Sequence, residues 1–401
     1  MAFDSDTLQR PASHEASPPV PGPFLTFFPQ FCREPINDSA WYPGFTDWDL
    51  IRRVPQPFRD RFTPAAGYYD LAADNDIARQ LESVGRSPWP AMALYQYFFD
   101  GRFALDGVER HILNTTAPVP PFFVIWANET WSKRYIGKPR DIIIRQNHSL
   151  DPVCMRLHVQ RLAALFRHPS YAREQGRPVF VIYAPFDIPR VAEFVQGYRR
   201  AFAEAGVDPL IGFCVSYIDP KFDPRGFDFC VEFQPRLFFN EITARRRQRT
   251  MKIVLLLRQR AMWAFDVLTG LHDQLRRRRS RPGLSFNYQD YLELVEQDYF
   301  GRALENAYQV PVRRAAFFCW NNFPRYRGSA AQVLHRQGDY EAFTRLCDRL
   351  KARQSWFLVN SWNEWSEGAA LEPGMQASDG YDAADERSPH ATAYPCSQGG
   401  R

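Results

Sequence analysis

Eight short apolar runs rich in β-branched and aromatic residues recur along this chain, at residues 24–28, 91–98, 122–126, 179–183, 210–216, 227–233, 315–320 and 356–359. Between most of them lie helical patterns, at 73–84, 106–114, 151–166, 189–205, 288–307 and 339–353. Their apolar residues fall three and four apart, as in Val191, Phe194, Val195, Tyr198 and Phe202. Strand and helix in alternation predict a parallel sheet, because parallel neighbours need a crossover long enough to hold a helix. Eight such strands predict an α/β fold of the (β/α)8 TIM-like barrel type. An open doubly wound sheet would want a Gly-rich phosphate turn after its first strand, and none follows residues 24–28. Two gaps predict an incomplete helix ring: 217–226 is too short and too Pro-rich for a fifth helix, and little after Glu372 can supply an eighth. Residues 240–286 form a long excursion after the sixth strand, with a basic, partly apolar helix expected over 242–275.

The expected domain runs from 24 to 373, between Pro- and Ser-rich residues 1–23 and a Gly-, Ser- and Asp-rich stretch 374–401, both expected to be disordered tails. No apolar run reaches 18 residues, and the N-terminus lacks the basic start and apolar stretch of a secretory signal, which predicts a cytoplasmic protein. The seven cysteines show no CxxC spacing and several sit in strand-like runs, as buried reduced thiols do. The formal charge of +5 rests on scattered arginines, which argues against nucleic acid. Two arginine clusters, 245–249 and 276–281, flank the excursion. Peripheral contact of 242–281 with the inner face of a membrane is therefore an expectation, set against the blander one of an outer helix on the barrel.

In barrels of this type the chemistry gathers where strands end at their C-terminal mouths. Those ends are well stocked here. The first strand runs into Gln30; the second carries Tyr95, Tyr97 and Asp100; the third runs through Trp126 and Asn128 to Glu129 and Trp131. The sixth carries Glu232, the seventh ends in Trp320 and Asn322, and the eighth runs into Asn360-Ser361-Trp362-Asn363-Glu364-Trp365-Ser366-Glu367-Gly368. Breaking a glycosidic bond needs a proton donor for the leaving oxygen and a base or nucleophile on the other side, and two carboxyl groups can supply both. Glu364 and Glu367 are the expected catalytic pair. On a helical turn, i and i+3 share a face about 5–6 Å apart, nearer the spacing of retaining than of inverting chemistry. The other strand-end residues, with Trp362 and Asn363, are expected to bind substrate. Aromatic rings cover sugar C–H faces, and Trp41, Trp48 and Trp365 join the candidates. Glu232, inside an apolar strand, is expected either to bind substrate or to meet an arginine.

Rival chemistries find little support, since the chain has no GxSxG, no Walker loop and no His pair at metal spacing. No metal and no cofactor is expected. Asp47-Trp48-Asp49 and Asp74-Asn75-Asp76 match a DxD superficially; the second sits at a helix start and reads as a cap, and the first follows no strand.

Taken together, the motifs resemble the WbsX-type family of polysaccharide-cluster proteins, which carry a domain like that of family 99 glycoside hydrolases. The likeness covers roughly 24–373. It rests on Phe28-Pro29-Gln30-Phe31, the stretch Trp41 to Trp48, Gly67 to Leu71, Tyr95 to Gly101, Trp126 to Trp131, Gln146-Asn147, Val231-Glu232-Phe233, Trp320-Asn321-Asn322 and the run Asn360 to Pro373. The resemblance implies a (β/α)8 barrel, an oligosaccharide or polysaccharide substrate, and glycosyl transfer or hydrolysis in bacterial lipopolysaccharide- or capsule-type metabolism. It further implies Glu364 as base, toward the sugar's own 2-hydroxyl, and Glu367 as acid. Three positions depart from the family pattern: Cys32 and Gln96 stand where histidines are usual, and Asn321 where an aspartate is.

Two other readings stay open. A non-catalytic glycan-binding protein would keep the aromatic mouth without the chemistry, and a nucleotide-sugar-dependent glycosyltransferase would need metal-dependent nucleotide binding. Two carboxyls in one pocket favour an enzyme; a carboxyl tied to an arginine favours binding.

Overall fold

The computed structural model describes residues 22–133, 138–246, 284–326 and 330–375. Nine parallel strand segments form its centre: β1 (Phe24–Phe27), β2 (Met92–Phe99), β3 (Phe122–Trp126), β4 (Arg177–Ile182), β5 (Leu210–Val215), β6 (Phe229–Glu232), β7 (Val312–Arg313), β8 (Ala315–Phe317) and β9 (Leu358–Asn360). They pair in the order β7-β6-β5-β4-β3-β2-β1-β9-β8. Only Arg314 separates β7, paired with β6, from β8, paired with β9, so the two ends of this path are one stretch of chain. The ring therefore has eight positions and closes, which is the expected barrel.

All eight apolar runs are strands. β2 is buried along its whole length, because one face looks into the barrel and the other is covered by helices. The helices are α1 (Pro35–Ala40), α2 (Trp48–Arg52), α3 (Asp74–Arg86), α4 (Gly107–Asn114), α5 (Pro152–Phe166), α6 (Val191–Glu204), α7 (Tyr288–Glu296), α8 (Tyr299–Tyr308), α9 (Phe323–Tyr326) and α10 (Asp339–Arg353). α5 starts where a cap should: Asp151 accepts from the Val153 amide and proline follows at the first position. One expectation needs correcting. Residues 288–307 are two helices, broken at Asp298, whose φ of 52° takes the chain out of the right-handed region. As expected, no helix follows β5 within 216–228. After β9 there is only the single 3-10 turn Trp365–Glu367 within the described residues.

The N-terminal end of the barrel is sealed by aromatic rings. Phe24, Phe123 and Phe229 each lie 5–6 Å from the Trp356 ring or from one another, and the Trp356 indole donates to Glu174 at 3.0 Å. A cavity can therefore open only at the other end. The excursion after β6 begins as a helix over 236–246; the rest of the helix expected at 242–275, and the membrane contact expected of 242–281, lie outside the described residues. So do both expected tails apart from residues 22–23 and 374–375. No described helix is long and apolar enough to cross a membrane. Five described cysteines, Cys32, Cys154, Cys214, Cys230 and Cys347, are free thiols, but Cys319 is disulfide-bonded, against the expectation of reduced thiols throughout.

Between β2 and the helices outside it runs a buried polar chain. Gln96 donates to Glu109 at 2.9 Å, His158 lies 2.6 Å from Gln96 and 2.8 Å from the Tyr198 hydroxyl, and Arg161 reaches Glu109 at 3.4 Å. Burial pushes the Glu109 carboxyl up to about 7, against the pull of Gln96 and Arg161. A carboxyl raised in the fold contributes stability below its unfolded value near 4.5 and loses that contribution as pH rises through 7. Glu109→Gln should therefore gain about 3 kcal/mol on the wild type between pH 5 and pH 8, measured by urea unfolding; a constant difference across that range would refute it.

Candidate active site

The segment after β9 is held by its own backbone before any side chain acts. Ser361 and Ala369 pair across the loop at 3.1 Å, Leu371 returns its amide to Ser361 at 2.9 Å, and the Ser361 hydroxyl accepts from the Glu364 amide at 3.0 Å. Asn363 supplies both a donor and an acceptor to the backbone of Phe28, at 3.0 and 2.8 Å, and so extends β1 onto the turn. The tryptophans point away from the mouth. Trp362 donates to Gln80 and Trp365 to Glu372; Glu372 also accepts from Tyr69 and Gln80 at 2.7–2.9 Å. With both indoles anchored in the core, Glu364 and Glu367 are left facing the barrel mouth.

There they line one cavity of about 240 Å³. Gln30, just past β1, donates to both oxygens of Glu364 at 3.0 and 3.1 Å, and the Ser366 hydroxyl lies 2.8 Å from Glu364 and 3.2 Å from Asp47. Arg325, on α9, joins three carboxylates: its Nη2 reaches Glu364 at 3.0 Å and Asp47 at 3.4 Å, and its Nη1 is bonded to Glu367. Burial raises Glu364 to about 8; Arg325 opposes this, while Glu367 and Asp47 add to it. Asp47 is pushed up by the same burial, against Arg325. The Glu364 carboxyl is thus held toward its protonated form at neutral pH.

The walls are aromatic. Phe28 stacks on Tyr95 at 4.3 Å, Tyr95 meets Tyr183 edge-on at 5.5 Å, and Tyr183 meets Phe233 at 4.8 Å. Trp131, beside Tyr97 at 5.2 Å, and Trp41, stacked on Phe45, are only half buried. Half-buried indoles over a carboxylate pair are what a pyranose ring needs from its container.

Of the expected residues, Glu364, Glu367, Gln30, Tyr95, Tyr97, Glu129 and Trp131 line this cavity. Trp41 lines it too; the remaining ones do not, and each has a structural task. Asp100 accepts the Asn147 and Ser149 amides; Trp126 is buried among His158, Phe194 and Tyr198; Asn128 bonds His148 and the Ala184 backbone. Asn322 accepts the Ala331 amide, Trp320 is buried beside Phe239, and Trp362 and Asn363 hold the turn as described. Trp48 and Trp365 are core residues as well. Glu232 meets an arginine: Arg314 bonds it at 3.0 Å, at the break between β7 and β8. Asp74 forms no cap and pairs with His111. Sequence reasoning missed Arg325, Arg236 and Tyr183, and it passed over Asp47 because no strand precedes it. No cluster of metal-ligating side chains occurs among the described residues.

The family model described as "Glycosyltransferase WbsX" matches residues 24–384. Two proteins named WxcX, from two strains of Xanthomonas campestris pv. campestris, are each 29% identical over 371 residues, 88% of this chain and 48% of theirs. The chain thus spans about half the length of these curated relatives. Similar solved structures include a GH99 endo-alpha-mannosidase from Bacteroides thetaiotaomicron, at 12% identity and TM-score 0.46 over 88% of this chain and 87% of that one. Another is a glycoside hydrolase-like protein, at 14% identity and TM-score 0.43 over 79% and 83%.

The turn carrying the glutamates depends on Gly368. Its φ is 57°, and an added Cβ would lie 2.6 Å from the Asn321 carbonyl oxygen. Gly368→Ala should destabilise the fold by about 1–3 kcal/mol. It should also displace Glu367, whose carbonyl accepts the Asn321 amide at 2.8 Å. A melting temperature within a degree of wild type would contradict this.

Proposed function

The chain belongs to the WbsX glycosyltransferase family, a carbohydrate-active family, and on that premise we propose that it cleaves or transfers glycosyl units in the metabolism of a bacterial surface polysaccharide of lipopolysaccharide or capsule type. Glu364 and Glu367 are its acid–base pair. The observation that carries this reading is their convergence in one aromatic-walled cavity at the barrel mouth, where burial pushes Glu364 toward its protonated form.

One carboxyl protonates the departing oxygen while the other, ionised, takes a proton from the attacking group. Arg325 keeps the ionised partner from being an uncompensated buried charge. Glu364 is a carboxyl pushed toward the neutral form, the state an acid needs, whereas the resemblance implies Glu367 as acid and Glu364 as base. The leaving group decides between the two. With nitrophenyl glycosides the Gln variant at the acid position regains turnover, and the variant at the base position does not.

A non-catalytic glycan-binding role is the second reading, favoured by one observation: Arg325 ties both carboxylates. Turnover separates the two, and calorimetric titration with sugar nucleotides tests for a nucleotide-sugar donor. Screening short glycans and α-linked aryl glycosides, with product anomers followed by NMR, gives substrate and stereochemistry.

Glu367→Gln should lower turnover by about 10²–10⁴-fold while glycan binding persists; undiminished turnover would remove the glutamate pair from the mechanism. Because the pair's proton is lost as pH rises through about 8, wild-type activity should fall above that value. A profile flat to pH 10 would count against a required proton.

A further inference from the structure

Two cationic side chains line the cavity and they are in opposite states. Arg325 is bonded to three carboxylates. Arg236 makes no hydrogen bond and no ion pair, although Glu367, Tyr183, Glu129 and Tyr326, all of them cavity-lining, lie within electrostatic reach. Its side chain is exposed where it lines the cavity. A guanidinium in that position keeps its N–H donors available to the oxygens of a ligand.

Two further features belong to the same cavity. Arg236 opens the helix over 236–246, whose positive dipole end thus lies at the cavity, beside Phe233. Tyr95, 2% exposed and lining the cavity, has a hydroxyl with no hydrogen-bond partner, and its ring lies 5.5 Å from Tyr183. The Leu237, Phe238 and Phe239 amides at that helix start are already taken by Phe233, Gln234 and Pro235, so the donors left to a ligand are the Arg236 guanidinium and the Tyr95 hydroxyl.

We propose that Arg236, with the Tyr95 hydroxyl as a second unpartnered donor lining the same cavity, forms a subsite for an oxyanion carried by the substrate, either the carboxylate of an acidic sugar or the phosphate of an activated glycosyl donor. This deepens the preceding functional reading and rests on it for the presence of a sugar. The planar fork of arginine suits both groups, since each presents two oxygens side by side. The carboxylates facing Arg236 are Glu367 and Glu129; neither touches it, so the incoming oxyanion need displace neither.

The test measures binding of glucose, glucuronate, glucose 1-phosphate and UDP-glucose to the full chain by ligand-observed NMR and calorimetry, using wild type, Arg236→Gln and Arg236→Lys. The expected result is that wild type prefers at least one anionic probe to glucose by about tenfold or more. Arg236→Gln should erase that preference, Arg236→Lys should keep part of it, and added salt should weaken it. Preference for glucuronate assigns an acidic sugar; preference for glucose 1-phosphate or UDP-glucose assigns a phosphorylated donor. No preference over glucose, or a preference unchanged in a folded Arg236→Gln, overturns the subsite. Failure of the functional reading looks different: Glu367→Gln would keep full turnover whatever the anion binding did.

Discussion

Arg325 is the point on which the mouth of this barrel depends. Its guanidinium is almost wholly enclosed, and it joins a carboxylate from the loop after β1 (Asp47) to two from the turn after β9 (Glu364 and Glu367), while itself standing on α9 after β8. Three strand ends are thereby fixed to one planar group. Burying so many charges is expensive, and only their mutual arrangement offsets the cost. Removing the guanidinium would leave three carboxylates facing each other in a low-dielectric cavity, where they would take up protons or move apart.

Much of the fold was legible because it rests on periodicity: eight apolar runs gave eight barrel positions, and both gaps in the helix ring were visible as missing patterns. The site was legible in part. Position relative to a strand end picked out Gln30, Tyr95, Tyr97, Glu129, Trp131 and the glutamates correctly as cavity residues. It misplaced Trp126, Trp320 and Trp362 because a strand end has two faces, and a residue count does not say which one a side chain takes. The motif after β9 shows the difficulty at its sharpest. Its indoles and carboxylates alternate, and the indoles go to the core because Gln80 and Glu372 are there to accept their N–H groups. Arg325 and Asp47 were illegible for another reason: their meaning lies in a contact across 278 residues of sequence.

The three departures from the family pattern look different once placed. Cys32 is buried with its thiol on the Pro29 carbonyl, and Gln96 sits between β2 and the helices, bonded to Glu109 and His158. Asn321 accepts the Phe323 amide at the head of α9. None of the three lines the cavity. They therefore take no acid, base or ligand out of the mouth, and they bear on it only through what they support. Asn321 does so most directly, because the helix it heads carries Arg325.

Charge ties these parts together. Asp47, Glu129, Asp187, Glu364 and Glu367 line the cavity against Arg325 and Arg236, so carboxyls outnumber guanidiniums and a proton on Glu364 relieves part of the excess; burial is what makes that proton worth holding. The balance also couples the two ends of the cavity. An oxyanion arriving at Arg236 withdraws positive potential from the pair, which then keeps its proton more firmly at the moment a donor is needed. A neutral sugar does not do this. Specificity for a charged substituent and readiness of the acid would then be two consequences of one guanidinium with donors to spare.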